Sequence, residues 1–342
     1  MTRRGVLIAG VLVALLVVGT LSLWRGSGSG ANSVVIYVSH DRVFSEPILK
    51  DFERDTGVQV RALYDTEETK SAGLMNRLLG EKNNPQADVY WANEPIRADV
   101  LRQRGVSTPY RSPSAEGIAA QFRDPKDYWT GFSARPRMLI IDRNVTPKPR
   151  SIHAYTDPQF RGKSVIANPL FGTTTAHIAA LFTVWGDAKA KAFLQSMRSN
   201  GVRITSSNGD SADQVAKGGA QFALVDGDDV YSRQKQGQSI EGAYPDQESD
   251  GLGCFVVPNA VMLIQGAPHP EAARKLIDYL LSADTERKLA YSDAAQIPLH
   301  PGVDTPEQVP HIEKLHVMTV DYAAVAAKMQ HIQPWLSDWV GH

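Results

Sequence analysis

From residue 33 onward, short apolar runs rich in β-branched residues alternate with stretches whose apolar positions recur at helical spacing. Residues 34–38 (VVIYV) read as a buried strand. Ser45, Glu46 and Pro47 then offer a cap, a first-turn acid and an early proline for a helix, with Phe44, Ile48, Leu49 and Phe52 on its apolar face and Gly57 as its stop. Residues 58–64 (VQVRALY) and 88–92 (DVYWA) continue the strands, and a helix through Val100 and Leu101 ends at Gly105. A second series follows Gly162: a strand at 163–168, helices from 174 to 200, strands at VRITSS and at 222–226 (FALVD), and a short helix ending near Gly237. After Gly251, CFVVPNAVMLI reads as two strand pieces broken at Pro258. Helices over 271–281 and from 320 to about 335 close the chain. The alternation predicts two α/β units of mostly parallel sheet covered on both faces, with ligands expected in crevices at the C-terminal ends of strands.

The amino terminus has a different pattern. Arg3 and Arg4 precede an uncharged, mostly apolar run over residues 5–24. At 1.5 Å per residue such a run reaches about 30 Å, enough to cross a bilayer core, and the basic pair orients the remainder outward. A cleaved signal peptide is the competing reading, but LSLWRGSGSGANS offers no obvious small-residue cleavage site. Residues 26–30 (GSGSG) read as a flexible tether, so residues 1–32 form an anchor or signal segment and the folded part is extracytoplasmic.

Composition narrows the function without naming it. The 342 residues carry 36 Lys+Arg against 37 Asp+Glu, a net charge of −1 that argues against a nucleic-acid partner. One cysteine, Cys254, excludes an intramolecular disulfide framework and reads as a buried small hydrophobe. Catalytic signatures fail on inspection. Asp157 stands where a phosphate-binding loop before Gly162, Lys163 and Ser164 needs its first glycine. His311 and His316 are not in zincin spacing, and the calcium-loop start at Asp246 lacks its twelfth-position acid. An enzyme on the same fold stays as a minor alternative.

Three segments retain candidate chemistry. Thr173, Thr174 and Thr175 follow a glycine turn and open an apolar-periodic helix, where free backbone N–H groups and hydroxyls suit an anion; the plainer role is a helix cap. Asp226, Asp228 and Asp229 crowd a strand-to-helix turn with Tyr231 close behind, a set suited to a cation or an ammonium group, although first-turn acids account for one or two of them. His40, Asn93 and Glu94 follow buried strands and would point into a crevice.

The segments VVIYVSHDRVFSEPILKDFERDTGVQV, ADVYWANE, DPQFRGKSVIANP, FALVDGDD and GAPHPEAARKLIDYLLS resemble the extracellular solute-binding proteins of ABC importers, in the branch of ferric-iron-binding periplasmic proteins. The resemblance covers nearly all of residues 33–342. It implies an α/β, two-lobe clam-shell fold of mixed sheets flanked by helices, with residues 33–135 plus 256–342 as the first lobe and 136–255 as the second. It further implies no catalysis and no obligatory cofactor, a monomer that delivers its cargo to a permease of the cytoplasmic membrane, and Fe³⁺ as transported ligand. The adjacent tyrosines of iron-binding relatives fall on Asp228 and Asp229, so the implied metal set here is Asp226, Asp228, Asp229 and Glu94. Carboxylates bind hard cations less selectively than phenolates, which leaves a phosphonate or other zwitterion, held between the threonines and the aspartates, as the alternative ligand.

Overall fold

The computed structural model describes residues 32–65 and 72–341. The expected membrane segment and tether lie outside these residues; among the described residues no helix is long and apolar enough to cross a membrane.

The chain first runs through β1 (Ser33–Val38), α1 (Arg42–Thr56), β2 (Gln59–Tyr64), α2 (Ala72–Gly80), β3 (Val89–Ala92), α3 (Pro95–Gln103) and β4 (Ser107–Thr108). The long strand β5 (Thr130–Asp142) follows, then β6 (Ser164–Ala167), α4 (Gly172–Trp185), α5 (Asp187–Ser199), β7 (Arg203–Thr205) and α6 (Asn208–Ala216). Next come β8 (Phe222–Asp226), α7 (Gly227–Lys235) and β9 (Ile240–Ala243). The last elements are β10 (Val256–Ile264), α8 (Pro270–Leu280), α9 (Ala283–Tyr291) and α10 (Tyr322–Gly341). The main path of the mixed sheet is β2-β1-β3-β10-β5-β8-β6-β7, with β4 beside β10 and β9 beside β5. β1 is parallel to β2 and β3, β6 is parallel to β7 and β8, and β5 and β10 run antiparallel to their neighbours.

β5 joins the two half-sheets. Residues from Thr130 to Pro136 pair with β10, whereas Arg137 to Ile141 pair with β8. Pro136 has no N–H to donate, and the strand changes partner at that point. The pattern reading missed this strand because Arg135, Pro136 and Arg137 interrupt its apolar run, yet all its residues but Asp142 are buried. β10 corrects a second expectation. It is one fully buried strand, and the break foreseen at Pro258 is a bulge between Pro258 and Asn259 that keeps the ladder continuous.

Helix limits also shift. α1 begins three residues before Ser45, whose buried hydroxyl donates to the Asp41 carbonyl at 2.9 Å instead of capping the helix. It ends as foreseen at Gly57, which takes the left-handed conformation at φ 69° that glycine adopts without steric cost. The helical stretch after residue 174 is two helices, parted at Gly186.

α10 spans both halves. It lies against α3, but its tryptophans Trp335 and Trp339 pack on α4 and α5: the Trp335 ring sits 5.7 Å from that of Phe182, and Trp339 Nε1 donates to the Leu194 carbonyl at 3.2 Å. Lys328 adds an ion pair to Asp187 at 2.8 Å. Assigning all of residues 256–342 to the first unit therefore leaves out the packing of this helix on the second.

Candidate functional site

Two strand-to-helix junctions of the second half-sheet carry most of the predicted site residues, β6 into α4 and β8 into α7. Both lie at C-terminal ends of parallel strands, where the next helix turns its N-terminus toward the crevice. The two are tied together by a residue the sequence reading did not select. Arg137, fully buried on β5, donates to Asp226 Oδ1 at 2.8 Å, Thr173 Oγ1 at 3.0 Å, Thr174 Oγ1 at 3.1 Å and the Leu224 carbonyl at 3.1 Å. Asp226 Oδ2 also accepts from the Thr173 hydroxyl at 2.8 Å and from Asn208 Nδ2 at 3.2 Å. The Thr174 hydroxyl donates to Asn208 Oδ1 at 3.2 Å. Burial works against the charge on Asp226, but the guanidinium groups of Arg137 and Arg135 outweigh it and hold the carboxyl below its usual range.

This geometry separates the predicted residues. Asp226, Thr173 and Thr174 are engaged with Arg137 inside the protein, while the buried Thr175 hydroxyl has no hydrogen-bond partner among the described residues. Asp228 and Asp229 differ. Ligand oxygens of Asp226, Asp228 and Asp229 come within 4.8 Å of one another, and only Asp226 holds the buried guanidinium. Burial and the charge of Asp226 push the Asp228 carboxyl up to about 6, with Asp41 adding to the shift and Arg135 opposing it. Its Oδ1 is buried without a hydrogen-bond partner among the described residues. Burial and both neighbouring aspartates raise Asp229 well above the carboxylate range, offset in part by Arg233 at 3.4 Å.

Residues from the first half-sheet have mixed roles. His40 stacks on Trp91 with ring centres 5.4 Å apart, and its Nε2 lies 3.3 Å from Gln296 Nε2. Gln296 Oε1 accepts from Asn259 Nδ2, so the Gln296 amide must be the donor and His40 Nε2 the acceptor. That places His40 in a packed polar network with Trp91 and Asn259. Glu94 is buried and pairs through Oε1 with Arg97, leaving Oε2 without a hydrogen-bond partner among the described residues. The Asn93 carbonyl accepts from Arg135 Nη2. Arg135 itself is buried, and its Nε has no partner among the described residues.

Tyr231 does not face the aspartates with a free hydroxyl. Its phenol meets that of Tyr244 at 2.6 Å, and burial pushes it up to about 12. Arg135, Arg137, Asn208 and Tyr244 all escaped the sequence reading. The one available signal was the pair of arginines flanking Pro136 inside an otherwise apolar stretch.

A cavity of about 950 Å³ opens beside Asp228 and Asp229. It lies between α7, the start of α1 with Asp41, Val43 and Phe44, and the segment from Tyr291 to Ala295.

Comparison with known proteins agrees with this architecture. Residues 92–325 match the family model described as bacterial extracellular solute-binding protein. Iron uptake protein A1 of Synechocystis sp. is 25% identical over 288 residues, covering 78% of each chain. A probable ABC transporter periplasmic-binding protein of Sinorhizobium fredii is 26% identical, covering 79% of this chain and 80% of the relative. A putative 2-aminoethylphosphonate-binding periplasmic protein of Salmonella typhi is 22% identical, covering 84% and 80%. Among solved structures, apo ferric ion-binding protein A of Pasteurella haemolytica superposes with a TM-score of 0.78 at 21% identity, covering 91% of this chain and 98% of that one. The fold is thus the α/β periplasmic-binding-protein fold.

Proposed function

The chain belongs to the family of bacterial extracellular solute-binding proteins, and we propose that it captures a cationic solute between two lobes and delivers it to an ABC permease in the cytoplasmic membrane. The first lobe is residues 33–135 with 256–342, the second 136–255, and the strap-like α10 touches both. The N-terminal run over 5–24 tethers the folded part outside that membrane. The protein does no chemistry on its cargo and works as a monomer.

One observation carries the cation reading: Asp228 and Asp229 crowd Asp226 at the cavity wall, and Arg137 neutralises only the last of the three. Two partly buried carboxylates forced together are relieved by a cation, which replaces the proton they otherwise retain. Ferric iron is the ion that the likeness to iron uptake protein A1 supports, and an all-oxygen carboxylate set suits a hard ion. Asp226 contributes charge to this set more than a free ligand atom, because both its oxygens are engaged. Glu94, expected in this set, is not among the carboxylates whose oxygens lie within 4.8 Å of one another, and it does not line the cavity.

A second reading is favoured by Arg135. Its partnerless Nε lies on the strand joining the lobes, and its charge acts on Asp228. A zwitterion such as an aminophosphonate would set its ammonium on the aspartates and its oxyanion on this guanidinium. The expected anchor for the anion thereby moves from the threonines, whose hydroxyls at 173 and 174 serve Arg137, to Arg135.

Native mass spectrometry of the full chain in detergent, with ferric citrate and then with 2-aminoethylphosphonate, tests the proposal. Bound iron that is lost to a chelator and absent in Asp228→Asn supports the ion form. Retention of 2-aminoethylphosphonate, lost in Arg135→Gln, supports the second reading. Cargo retained equally by wild type and Asp228→Asn would refute a site at Asp228.

A further inference from the structure

A bare ion leaves most of the cavity unused. An ion with six waters fills roughly 200 Å³ at about 30 Å³ per water, whereas the cavity beside Asp228 measures about 950 Å³. That volume is in the range of pockets that enclose small organic molecules.

The walls change character away from the aspartates. Val43, at the start of α1, is 71% exposed and Tyr291, at the end of α9, is 52% exposed, and both line this space with Phe44. They are two of the five large hydrophobic residues exposed on the described surface, so this cavity gathers a disproportionate share of them. Tyr291 is also held in place, because its hydroxyl donates to Asp304 at 2.7 Å. A fixed ring offers a cation or an apolar group a ready surface at little ordering cost.

The charges lining the cavity agree. Its cationic side chains are already paired, Lys235 with Asp293 at 2.5 Å, and Arg233 with Asp213 at 2.8 Å and with Asp229 at 3.4 Å. Asp228 has no such partner among the described residues, so the inner end keeps an excess of negative charge. The space therefore combines an anionic inner end with an apolar, partly aromatic outer wall.

We propose that this cavity binds an organic cation, with its ammonium head at Asp228 and its apolar body against Val43, Phe44 and Tyr291. The assignment rests on the cation reading of the site and narrows it from a bare ion to a molecule with a body.

Calorimetric titration of the full chain in detergent with choline, tyramine and 1,4-diaminobutane, against methylammonium and ferric citrate, tests it. At least one of the three organic cations is expected to bind ten or more times tighter than methylammonium. Asp228→Asn should lose that binding, and the surface double variant Val43→Ser with Tyr291→Ala should weaken it at least fivefold at an unchanged melting temperature. The proposal is overturned if none of the three exceeds methylammonium, or if the double variant binds as wild type does. Ferric binding that depends on Asp228, with no organic cation bound, overturns this proposal and leaves the cation reading standing. Binding of neither class removes both.

Discussion

The two junctions of the second half-sheet look alike in sequence and do opposite things. At β6 into α4, the Thr173 and Thr174 hydroxyls turn inward and complete the shell of Arg137. At β8 into α7, Asp226 does the same, but Asp228 and Asp229, two and three residues on, face a cavity, Asp229 relieved only in part by Arg233 and Asp228 without an ion-pair partner among the described residues. The difference is one of partners. A polar group that finds a complementary charge inside the fold becomes scaffold, and a like group without one keeps its binding energy for a ligand.

The sharpest way to break this contrast is to remove the arginine. Arg137→Met should cost about 3–5 kcal/mol, because Asp226 is left charged and buried without its partner. Chemical denaturation measures it directly, and a loss below about 1 kcal/mol would show that the pair is no scaffold. Asp228→Asn should do the reverse and stabilise the protein at neutral pH.

The pH profile separates the same two aspartates. Asp228 titrates near 6 in the fold, above its ordinary value, so its ionisation opposes folding. Stability from this group is full below about pH 4 and falls as pH rises through about 6, by on the order of 3 kcal/mol. Asp226 is shifted downward, so its contribution holds above the ordinary carboxylate value and is lost as pH falls through its lower folded value. Asp228→Asn should therefore lessen the decline between pH 4 and 6, leave the part due to the likewise raised Asp229, and keep the acid-side loss intact. Cation affinity of the wild type should rise over the same interval as the proton is displaced. A variant that keeps the wild-type slope would assign that titration elsewhere.

How much of this was legible in the sequence follows from the same physics. Strands that are apolar throughout, such as β1, β3 and β8, announce themselves, and so does a glycine that must turn left-handed at residue 57. The strand β5 that joins the half-sheets did not, since two arginines and a proline break its pattern and the arginines' burial depends on partners 36 to 89 residues away. The candidate residues on β8 and α7 were visible as a cluster of acids. Which of them was spent and which was free depended on Arg137 and Asn208, and neither contact has a local signature. His40 illustrates the same limit: it stands after a strand as a ligand would, yet its ring is stacked on Trp91 and its Nε2 satisfied by Gln296.

A milder change probes the scaffold from the threonine side. Thr174→Ala removes an acceptor from Arg137 Nη2, which keeps the Leu224 carbonyl, and a donor from Asn208. The expected cost is about 1 kcal/mol of stability. Ligand affinity should change by less than about threefold, since the hydroxyl faces the arginine. A tenfold loss of affinity at unchanged stability would return the threonines to the ligand.

The smallest effect is expected where the contrast ends, at the surface. Lys235 on α7 reaches Asp293 in the segment after α9 at 2.5 Å, joining the two sides of the cavity mouth, but both side chains are about 70% exposed. Water and salt screen such a pair, and it is worth at most about 1 kcal/mol. Lys235→Ala should thus leave the melting temperature unchanged and shift ligand affinity by less than about fivefold, with the shift fading as salt is raised to 1 M. A larger effect that persists in salt would mean that closure of the mouth depends on this pair, and the energy of ligand capture would then have to be sought at the rim as well as at Asp228.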